Sequence, residues 1–244
     1  MRPRGELRIG TSGWNYGDWS GVFYPEPLKS KEYLSYYARH FGTVEVNYSF
    51  YHLPRPETYL NWAGQTPVGF VFAVKANRAI THINRLKNVE DAWRKFLSNA
   101  EVLGQKLGPV LLQFPPSFRG DLALLGHFLD LAGQHEVRLA FEFRHGSWFT
   151  GAVAGLLRER GAAVVIAQSS RYPQAPLEAT APFIYLRFHG PAQLFASSYS
   201  DEQLGAWAAR IRDWLAASLD VYVYFNNDFH GYALSNARTL AGMV

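Results

Sequence analysis

The stretch VYVYFNNDFHGYALSNA, residues 221–237, carries the pattern that decides the fold. It begins as a buried strand, with alternating valines and tyrosines, and it continues directly into a helical pattern. Two amides and a carboxylate, those of Asn226, Asn227 and Asp228, lie at the junction. Because unpaired polar groups are costly to bury, this junction predicts either a cap for the following helix or a binding site.

The same order of strand and then helix recurs along the whole chain. Apolar segments predict eight strands, at residues 7–12, 43–49, 69–76, 109–114, 138–144, 162–168, 183–189 and 220–226. Helical patterns cover residues 29–41, 56–64, 88–107, 120–134, 149–160, 200–217 and 228–241. Nearly eight such units in 244 residues predict one α/β domain over residues 1–244, a single (β/α)8 TIM-like barrel.

The connection after the sixth strand is the least regular of these units. Its sequence, SSRYPQAPLEATAP, is rich in proline and predicts an irregular sixth crossover without a proper helix. The alternative fold is an open, doubly wound sheet. No Gly-x-Gly-x-x-Gly pattern follows the first strand, which disfavours that alternative.

Composition and charge limit the classes of function. Charged residues make up 18% of the chain, no apolar run is long enough to span a membrane, and the start MRPRGELRIG lacks a signal-peptide core. We therefore expect a cytoplasmic protein with no membrane partner. The chain has no cysteine, which excludes disulfides, thiolate metal sites and cysteine nucleophiles. The net charge of +4 permits an anionic partner, and the sequence indicates no oligomeric state.

Polar residues in the strands share one face. Side chains alternate between the two faces of a strand, so each strand can be divided by parity. One parity is apolar and would meet the helices, whereas the other is polar near the carboxyl end of the strand. In a barrel this second parity points inward, and the carboxyl ends open onto the catalytic face. The inward polar residues are Glu45, Asn47, Lys75, Gln113, Glu142, Arg144, Arg187, His189 and Asn226.

These residues predict acid–base chemistry on an anionic small molecule. Glu45, Glu142 and His189 are the predicted catalytic residues, because neighbouring buried carboxyls acquire different pKa values and histidine titrates near neutral pH. The inward cations favour a substrate that carries phosphate, sulfate or carboxylate. The predicted substrate-binding residues are Trp14, Asn47, Lys75, Gln113, Arg144, Arg187, Asn226, Asn227 and Asp228. We predict no metal ligands and no cofactor.

Seven segments together resemble the YecE-like family, domain of unknown function seventy-two. They are GTSGW (10–14), EVNYSFY (45–51), FAVKANRAITH (72–82), LLQFPPSF (111–118), FEFRHGSW (141–148), YLRFHG (185–190) and YFNND (224–228). The resemblance covers nearly the whole chain and implies a TIM-barrel fold. It supports the inward polar residues as the family's motif residues and names no substrate.

Other functions remain open at this point. A metal-dependent hydrolase or isomerase would use Glu45, Glu142, His189 and Asp228 as ligands. A nucleic-acid-binding protein would stack bases on the ring-rich loop WNYGDWSGVFYPEP (14–27), which we expect to line the cavity in any case. Glycoside hydrolysis by the glutamate pair is a weaker alternative. The ionic groups could also form a structural network that only fills the barrel. His82 and His230, each considered alone, are more typical of loop or surface histidines.

Overall fold

A computed structural model describes residues 4–244 and shows a nearly closed barrel of eight parallel strands. The strands are β1 (Leu7–Thr11), β2 (Thr43–Val46), β3 (Val71–Lys75), β4 (Leu107–Gln113), β5 (Leu139–Glu142), β6 (Ala163–Gln168), β7 (Phe183–Phe188) and β8 (Asp220–Phe225). From β2 to β8 consecutive strands pair with one another, and β8 also pairs with β1. The predicted barrel is therefore confirmed, and the open sheet is excluded.

Helices connect most of the strands. They are α1 (Tyr33–Tyr37), α2 (Tyr48–Tyr51), α3 (Pro56–Gly64), α4 (Glu90–Ala100), α5 (Leu122–Ala132), α6 (Gly151–Glu159), α7 (Asp201–Ala216) and α8 (Tyr232–Met243). No helix lies between β6 and β7, which confirms the irregular sixth crossover. The first predicted helix is shorter than expected. Within residues 4–244, none of the helices combines the length and apolar character that a membrane crossing needs.

Side-chain caps fix where several of these helices begin. The side chain of Ser200 accepts a hydrogen bond from the Gln203 backbone, and the Gln203 side chain accepts one from the Ser200 backbone, at the start of α7. The side chains of Asp121 and Thr150 each accept one backbone hydrogen bond at the starts of α5 and α6. Such caps satisfy amide groups that the first helical turn leaves without partners.

The alternation of side chains along the strands creates two separate apolar regions. Small and aromatic residues fill the barrel interior, namely Ala73, Leu111, Ala140, Ala163, Val165, Ala167, Phe183, Tyr185, Tyr222 and Tyr224. The opposite parity packs against the helices and includes Val44, Val74, Leu112, Phe141, Leu186 and Val223. The face assignment made from the sequence is thus correct. The inward polar residues lie above the apolar interior, at the carboxyl ends of the strands.

The junction of β1 and β2 closes the barrel differently from the other junctions. A single backbone bridge, between Ser12 and Glu45, joins the two sides in the described part of the chain. The hydroxyl of Tyr37, from α1, completes the junction. It accepts a hydrogen bond from the Thr11 backbone amide at 3.0 Å and donates one to the Thr43 carbonyl at 3.1 Å. The Tyr37 hydroxyl therefore makes the link between β1 and β2 that direct backbone hydrogen bonds make between the other neighbouring strands.

Candidate active site

A cavity of about 800 Å³ opens at the carboxyl ends of the strands, and we call it the principal cavity. This is the face that carries the active site in TIM-barrel enzymes. The predicted residues that line it are Asn47, Lys75, Gln113, Arg144, Arg187, Asn226 and Asp228. The volume is within the range of pockets that hold small ligands.

Arg187 forms the centre of an ionic network below the cavity floor. Only 1% of this residue is exposed, and its Nε and Nη2 donate to the two carboxylate oxygens of Glu45 at 2.9 and 2.7 Å. Its Nη1 donates to Glu142. Glu45 also accepts hydrogen bonds from the hydroxyls of Ser12 and Tyr185, at 2.7 and 2.8 Å. Burial alone would lower the pKa of Arg187, but the two carboxylates outweigh it and raise that pKa.

Glu142 connects this network to a histidine. Its Oε1 accepts a hydrogen bond from Arg144 Nε at 2.7 Å and lies 3.8 Å from His189 Nε2. The other ring nitrogen of His189 lies 3.0 Å from the amide nitrogen of Asn226. Burial and then Arg187 lower the pKa of His189 well below its usual value, so the ring is neutral at pH 7. Burial alone would raise the pKa of Glu142, but Arg144 and Arg187 lower it well below the usual value.

The three predicted catalytic residues do not line the principal cavity. Glu45, Glu142 and His189 are each no more than 1% exposed, and they lie beneath the groups that form the floor. A molecule in the cavity would meet Arg144 and Asn226 before it met any of them. Parity correctly gave the direction of these side chains. It contains no information about their depth below the floor.

Lys75 lies at the end of β3 and faces the cavity. Its amine is 4.3 Å from the centre of the Phe50 ring, and in residues 4–244 it makes no hydrogen bond and no ion pair. Burial and then Arg187 lower the pKa of the amine to about 7, against an opposite effect from Glu142. Lys75 is therefore divided between its charged and neutral forms near neutral pH.

Asp228 lies just after β8 and also lines the cavity. Its Oδ2 accepts a hydrogen bond from the Tyr16 hydroxyl at 3.0 Å, while its buried Oδ1 has no hydrogen-bond partner in the described chain. Burial is the largest influence on the Asp228 carboxyl and, assisted by the charge of Glu45, raises its pKa to about 8. The group is therefore mainly protonated at pH 7 and is able to donate a proton.

Only part of the loop at residues 14–27 lines the principal cavity. Tyr16 and Asp18 line the principal cavity. Trp19 is fully buried, and its indole N–H donates to the backbone carbonyl of Asp228 at 3.1 Å. Trp14 lines an adjacent cavity of about 480 Å³, where its ring contacts that of Trp62 at 5.4 Å between ring centres. The structure thus places Trp14 away from the site for which it was predicted.

Asn227 also lies outside the principal cavity. Its side chain is fully buried, and its amide nitrogen donates to the Ser197 carbonyl and to the Asn236 side chain, both at 2.9 Å. These contacts join the loop after β7 to α8. The donor atom of Asn227 is thus used within the fold, and its substrate-binding role stays a prediction.

Several cavity residues were not predicted individually, because they lie outside the strands, where the parity of a strand gives no direction. They are Tyr16, Asp18, Phe50, Tyr51, His82, Phe195, Phe229 and His230. His82 lies in the helical turn Ala79–Ile83 and His230 in the turn Phe229–Gly231, and both line the cavity. Burial and then the charge of Lys75 lower the pKa of His82 to about 4, so its ring is neutral at pH 7.

The geometry of the ionic groups does not favour the metal-dependent alternative. In residues 4–244, no three histidine, aspartate or glutamate side chains lie close enough together to hold a metal ion. The carboxylate oxygens of Glu45 and Glu142 already accept hydrogen bonds from arginines. A cation would have to displace these arginines in order to bind.

Comparison with known proteins identifies the family. Residues 8–244 match the family described as protein of unknown function DUF72. The chain belongs to the DUF72 family. This confirms the resemblance that the seven sequence segments indicated.

DUF72 relatives are similar over most of this chain. The YunF protein of Bacillus subtilis is 26% identical, over 98% of this chain and 94% of its own length. The YecE protein of Escherichia coli is 34% identical over 59% of this chain, and the match spans only half, 50%, of YecE. A DUF72 crystal structure from Thermotoga maritima superposes with a TM-score of 0.85 at 30% identity, covering 98% of both chains.

A more distant likeness supports the fold alone. The crystal structure of a D-psicose 3-epimerase superposes with a TM-score of 0.51 at 12% identity, covering 87% of this chain and 85% of the epimerase. At this identity the likeness shows a shared barrel architecture. Fold alone does not determine chemistry, so the function must be argued from the site.

Proposed function

We propose that this DUF72 protein is an enzyme that acts on a small anionic molecule in the principal cavity, with Lys75 and Asp228 as its acid–base groups. One observation carries the proposal. Two titratable groups line one cavity, and their pKa values, about 7 and about 8, have been moved toward neutrality from opposite directions. Such shifts are typical of catalytic acids and bases, which work best with pKa values near the operating pH.

The charges around the cavity favour an anion. Three cations, Lys75, Arg144 and Arg187, line it, whereas the carboxylates of Glu45 and Glu142 lie beneath the floor. When Lys75 is protonated, its ammonium has no carboxylate partner in residues 4–244, whereas Arg144 and Arg187 are paired with Glu142 and Glu45. A phosphate, sulfate or carboxylate group of a substrate would balance this charge.

Arg144 is better suited than Arg187 to bind that anionic group. Arg187 directs three of its five N–H donors to Glu45 and Glu142. Arg144 uses only Nε, toward Glu142, and within residues 4–244 its two terminal nitrogens make no hydrogen bond. Its guanidinium lies 4.4 Å from the centre of the Tyr172 ring, which limits its mobility. These terminal nitrogens have the geometry for a bidentate contact with an oxyanion.

In this proposal the buried groups support the chemistry and do not perform it. Glu45 and Glu142 hold Arg187, Glu142 also orients Arg144, and His189 contacts Asn226. We assign the acid–base roles to Lys75 and Asp228 instead of Glu45, Glu142 and His189, because only the first two line the cavity. Groups that act through others in this way fix the geometry on which catalysis depends.

Thermal unfolding in the presence of sulfate and phosphate tests the proposal. An anion that binds only the folded protein raises its stability, by about 2.7 kcal/mol at one hundred times Kd. We expect millimolar sulfate to raise the Tm of the native protein and to have little effect on Arg144→Met. Arg171→Met is the matched control, because Arg171 lies beside the same Tyr172 ring but does not line the cavity. No rise in the native protein, or equal rises in both variants, would contradict the proposal.

The pH provides a second test of the same site. A bound anion favours the protonated form of Lys75, whose pKa of about 7 is set by burial together with the charges of Arg187, Glu142, Glu45 and Arg144. The sulfate-induced rise in Tm should therefore be largest below pH 7 and should decrease as the pH increases to 9. A rise that does not depend on pH would exclude Lys75 from the anion site.

A further inference from the structure

The amine of Lys75 lies among cations and next to an aromatic ring. The positive charges of Arg187 and Arg144 lower the pKa of this amine. The nearby carboxylate of Glu142 already accepts hydrogen bonds from both arginines. The amine lies over the face of the Phe50 ring, 4.3 Å from the ring centre. A buried ammonium ordinarily requires a carboxylate partner. An amine placed in apolar surroundings beside other cations is instead the environment of a nucleophilic lysine.

Lys106 provides a comparison within the same chain. The amine of Lys106 donates to the carbonyls of Ala63 and Thr66 at 2.6 and 2.8 Å, and to the Thr66 hydroxyl at 3.0 Å. This is how the fold holds a lysine for structural purposes. Lys75 has none of these partners in the described chain, although it is only 9% exposed and its amine borders the cavity. Its position is therefore explained better by a ligand than by the fold.

We infer that Lys75 condenses with the carbonyl group of a small anionic aldehyde or ketone in the principal cavity and forms an iminium ion. The inference rests on the proposed function and names its substrate class. The neutral amine attacks the carbonyl carbon, the carbonyl electron pair moves to oxygen, and one N–H proton transfers from the attacking nitrogen to that oxygen. The hydroxyl then leaves as water, with a second proton, as the C=N bond forms. In sum, one amine, one carbonyl compound and one proton give one iminium ion and one water.

The condensation needs a proton donor and a neutral amine, and the cavity provides both. The protonated carboxyl of Asp228 lines the same cavity and is the source of the proton that the departing water takes. The neutral amine is available because the pKa of Lys75 is about 7, which leaves about half of it unprotonated at pH 7. An exposed lysine with a pKa of about 10.4 has roughly one part in 2,500 unprotonated.

The anionic part of the molecule would lie against the terminal nitrogens of Arg144. Two sources provide this chemistry, a carboxylate as in a 2-oxo acid and a phosphate as in a phosphorylated ketone. Both are small compared with a cavity of about 800 Å³. Gln113 and Asn226, which also border the cavity, offer amide groups for the remaining polar atoms.

Reductive trapping tests the inference on the intact protein. Pyruvate or dihydroxyacetone phosphate is added at pH 7 with cyanoborohydride, which converts an iminium ion into a stable secondary amine, and the modified lysine is located by peptide mass mapping. We expect Lys75 to be modified at least about tenfold faster than each of the other five lysines, because of its larger neutral fraction. Modification by pyruvate only would identify the carboxylate, and modification by the phosphate only would identify the phosphate.

Two variants and one parallel measurement complete the test. Lys75→Arg keeps the charge but should lose the fast modification, whereas Lys106→Arg should keep it. If Lys75→Arg does not fold, the map of the native protein decides the outcome. A sulfate-induced rise in Tm without preferential modification of Lys75 by either probe would overturn this inference and leave the proposed function standing. The absence of both effects would overturn both.

Discussion

Removing the buried guanidinium of Arg187 while keeping a side chain of similar length is the sharpest test of the ionic network. In Arg187→Met, the carboxylate of Glu45 loses both donors of a bidentate pair, and that of Glu142 loses one donor. Glu45 keeps only the neutral hydroxyls of Ser12 and Tyr185. Glu142 keeps Arg144. The variant therefore leaves one fully buried carboxylate without any cation.

The size of the effect follows from this geometry. Breaking a buried ion pair by removing one partner costs about 3–5 kcal/mol, because the remaining charge stays out of water. For a chain of this size, each kcal/mol lowers Tm by about 2–4 °C. We therefore expect Arg187→Met to lower Tm by roughly 6–20 °C at pH 7. Arg94→Met is the control, since Arg94 pairs with Asp91 on the surface with 66% of its side chain exposed, and it should change stability by less than about 1 kcal/mol.

The same variant has a diagnostic dependence on pH. Arg144 and Arg187 hold the pKa of Glu142 well below its usual value against the effect of burial. The stability from this pairing is present above the pKa of the unfolded chain and is lost as the pH falls through the folded pKa. In the variant, Glu142 keeps only one of these two arginines, so less of this stability is present to be lost in acid. The difference in Tm between Arg187→Met and the native protein should therefore shrink between pH 7 and pH 4.

Circular dichroism melts at both pH values measure this difference. A loss of Tm no larger than that of Arg94→Met would refute the reasoning, because the network would then contribute no more than a surface pair. A loss of equal size at pH 7 and pH 4 would show that packing, and not charge, causes it. If Arg187→Met does not fold, the combination with Glu45→Gln should recover folding, since the uncompensated charge is then absent.

Three further outcomes are expected. Asp228→Asn should raise Tm more at pH 9 than at pH 4, because a buried acid with a folded pKa of about 8 loses its contribution to stability as the pH rises through that value; an equal change at both would contradict this. Gly10→Ala should destabilise the barrel by about 1–3 kcal/mol in urea unfolding, because its Cβ would lie 2.2 Å from the Thr43 carbonyl oxygen, whereas Gly205→Ala meets no neighbour and should not. Trp14→Phe should leave the sulfate-induced rise in Tm unchanged, because Trp14 lines the adjacent cavity; a reduced rise would place it in the anion site.

The barrel and the direction of its polar side chains could be predicted from the sequence because both depend on local periodicity. The alternation in β8 places Tyr222 and Tyr224 inside and Val223 outside, as the order of the residues alone indicates. The same alternation gave the inward directions of Lys75 and Arg187. The alternation in the sequence is kept in the folded strand, because a one-residue shift in strand register would turn its apolar side chains to the opposite face.

The depth and the partners of the site could not be predicted in this way. Depth depends on the stagger of the strands around the barrel, which leaves Glu45 below the floor and Lys75 at it. Asn227 follows Asn226 directly, yet it turns toward α8, because a backbone that has left the strand no longer alternates. His82 belongs to the helical turn Ala79–Ile83, and its approach to Gln113 depends on tertiary structure alone. The sequence could list asparagine and histidine residues as candidates for the site. Only their contacts in the folded protein show which of them line the cavity.

The Tyr37 hydroxyl between β1 and β2 connects the closure of the barrel to a helix. Since this phenol holds the Thr11 amide and the Thr43 carbonyl, the ring of strands is incomplete until α1 has docked. Docking of α1 and closure are then one cooperative event, and fraying of that short helix would loosen the β1–β2 junction before any other. The backbone bridge at that junction is formed by Ser12 and Glu45, whose side chains also hydrogen-bond to each other. Movement of α1 would thus alter the β1–β2 junction and, through Ser12 and Glu45, the ionic network.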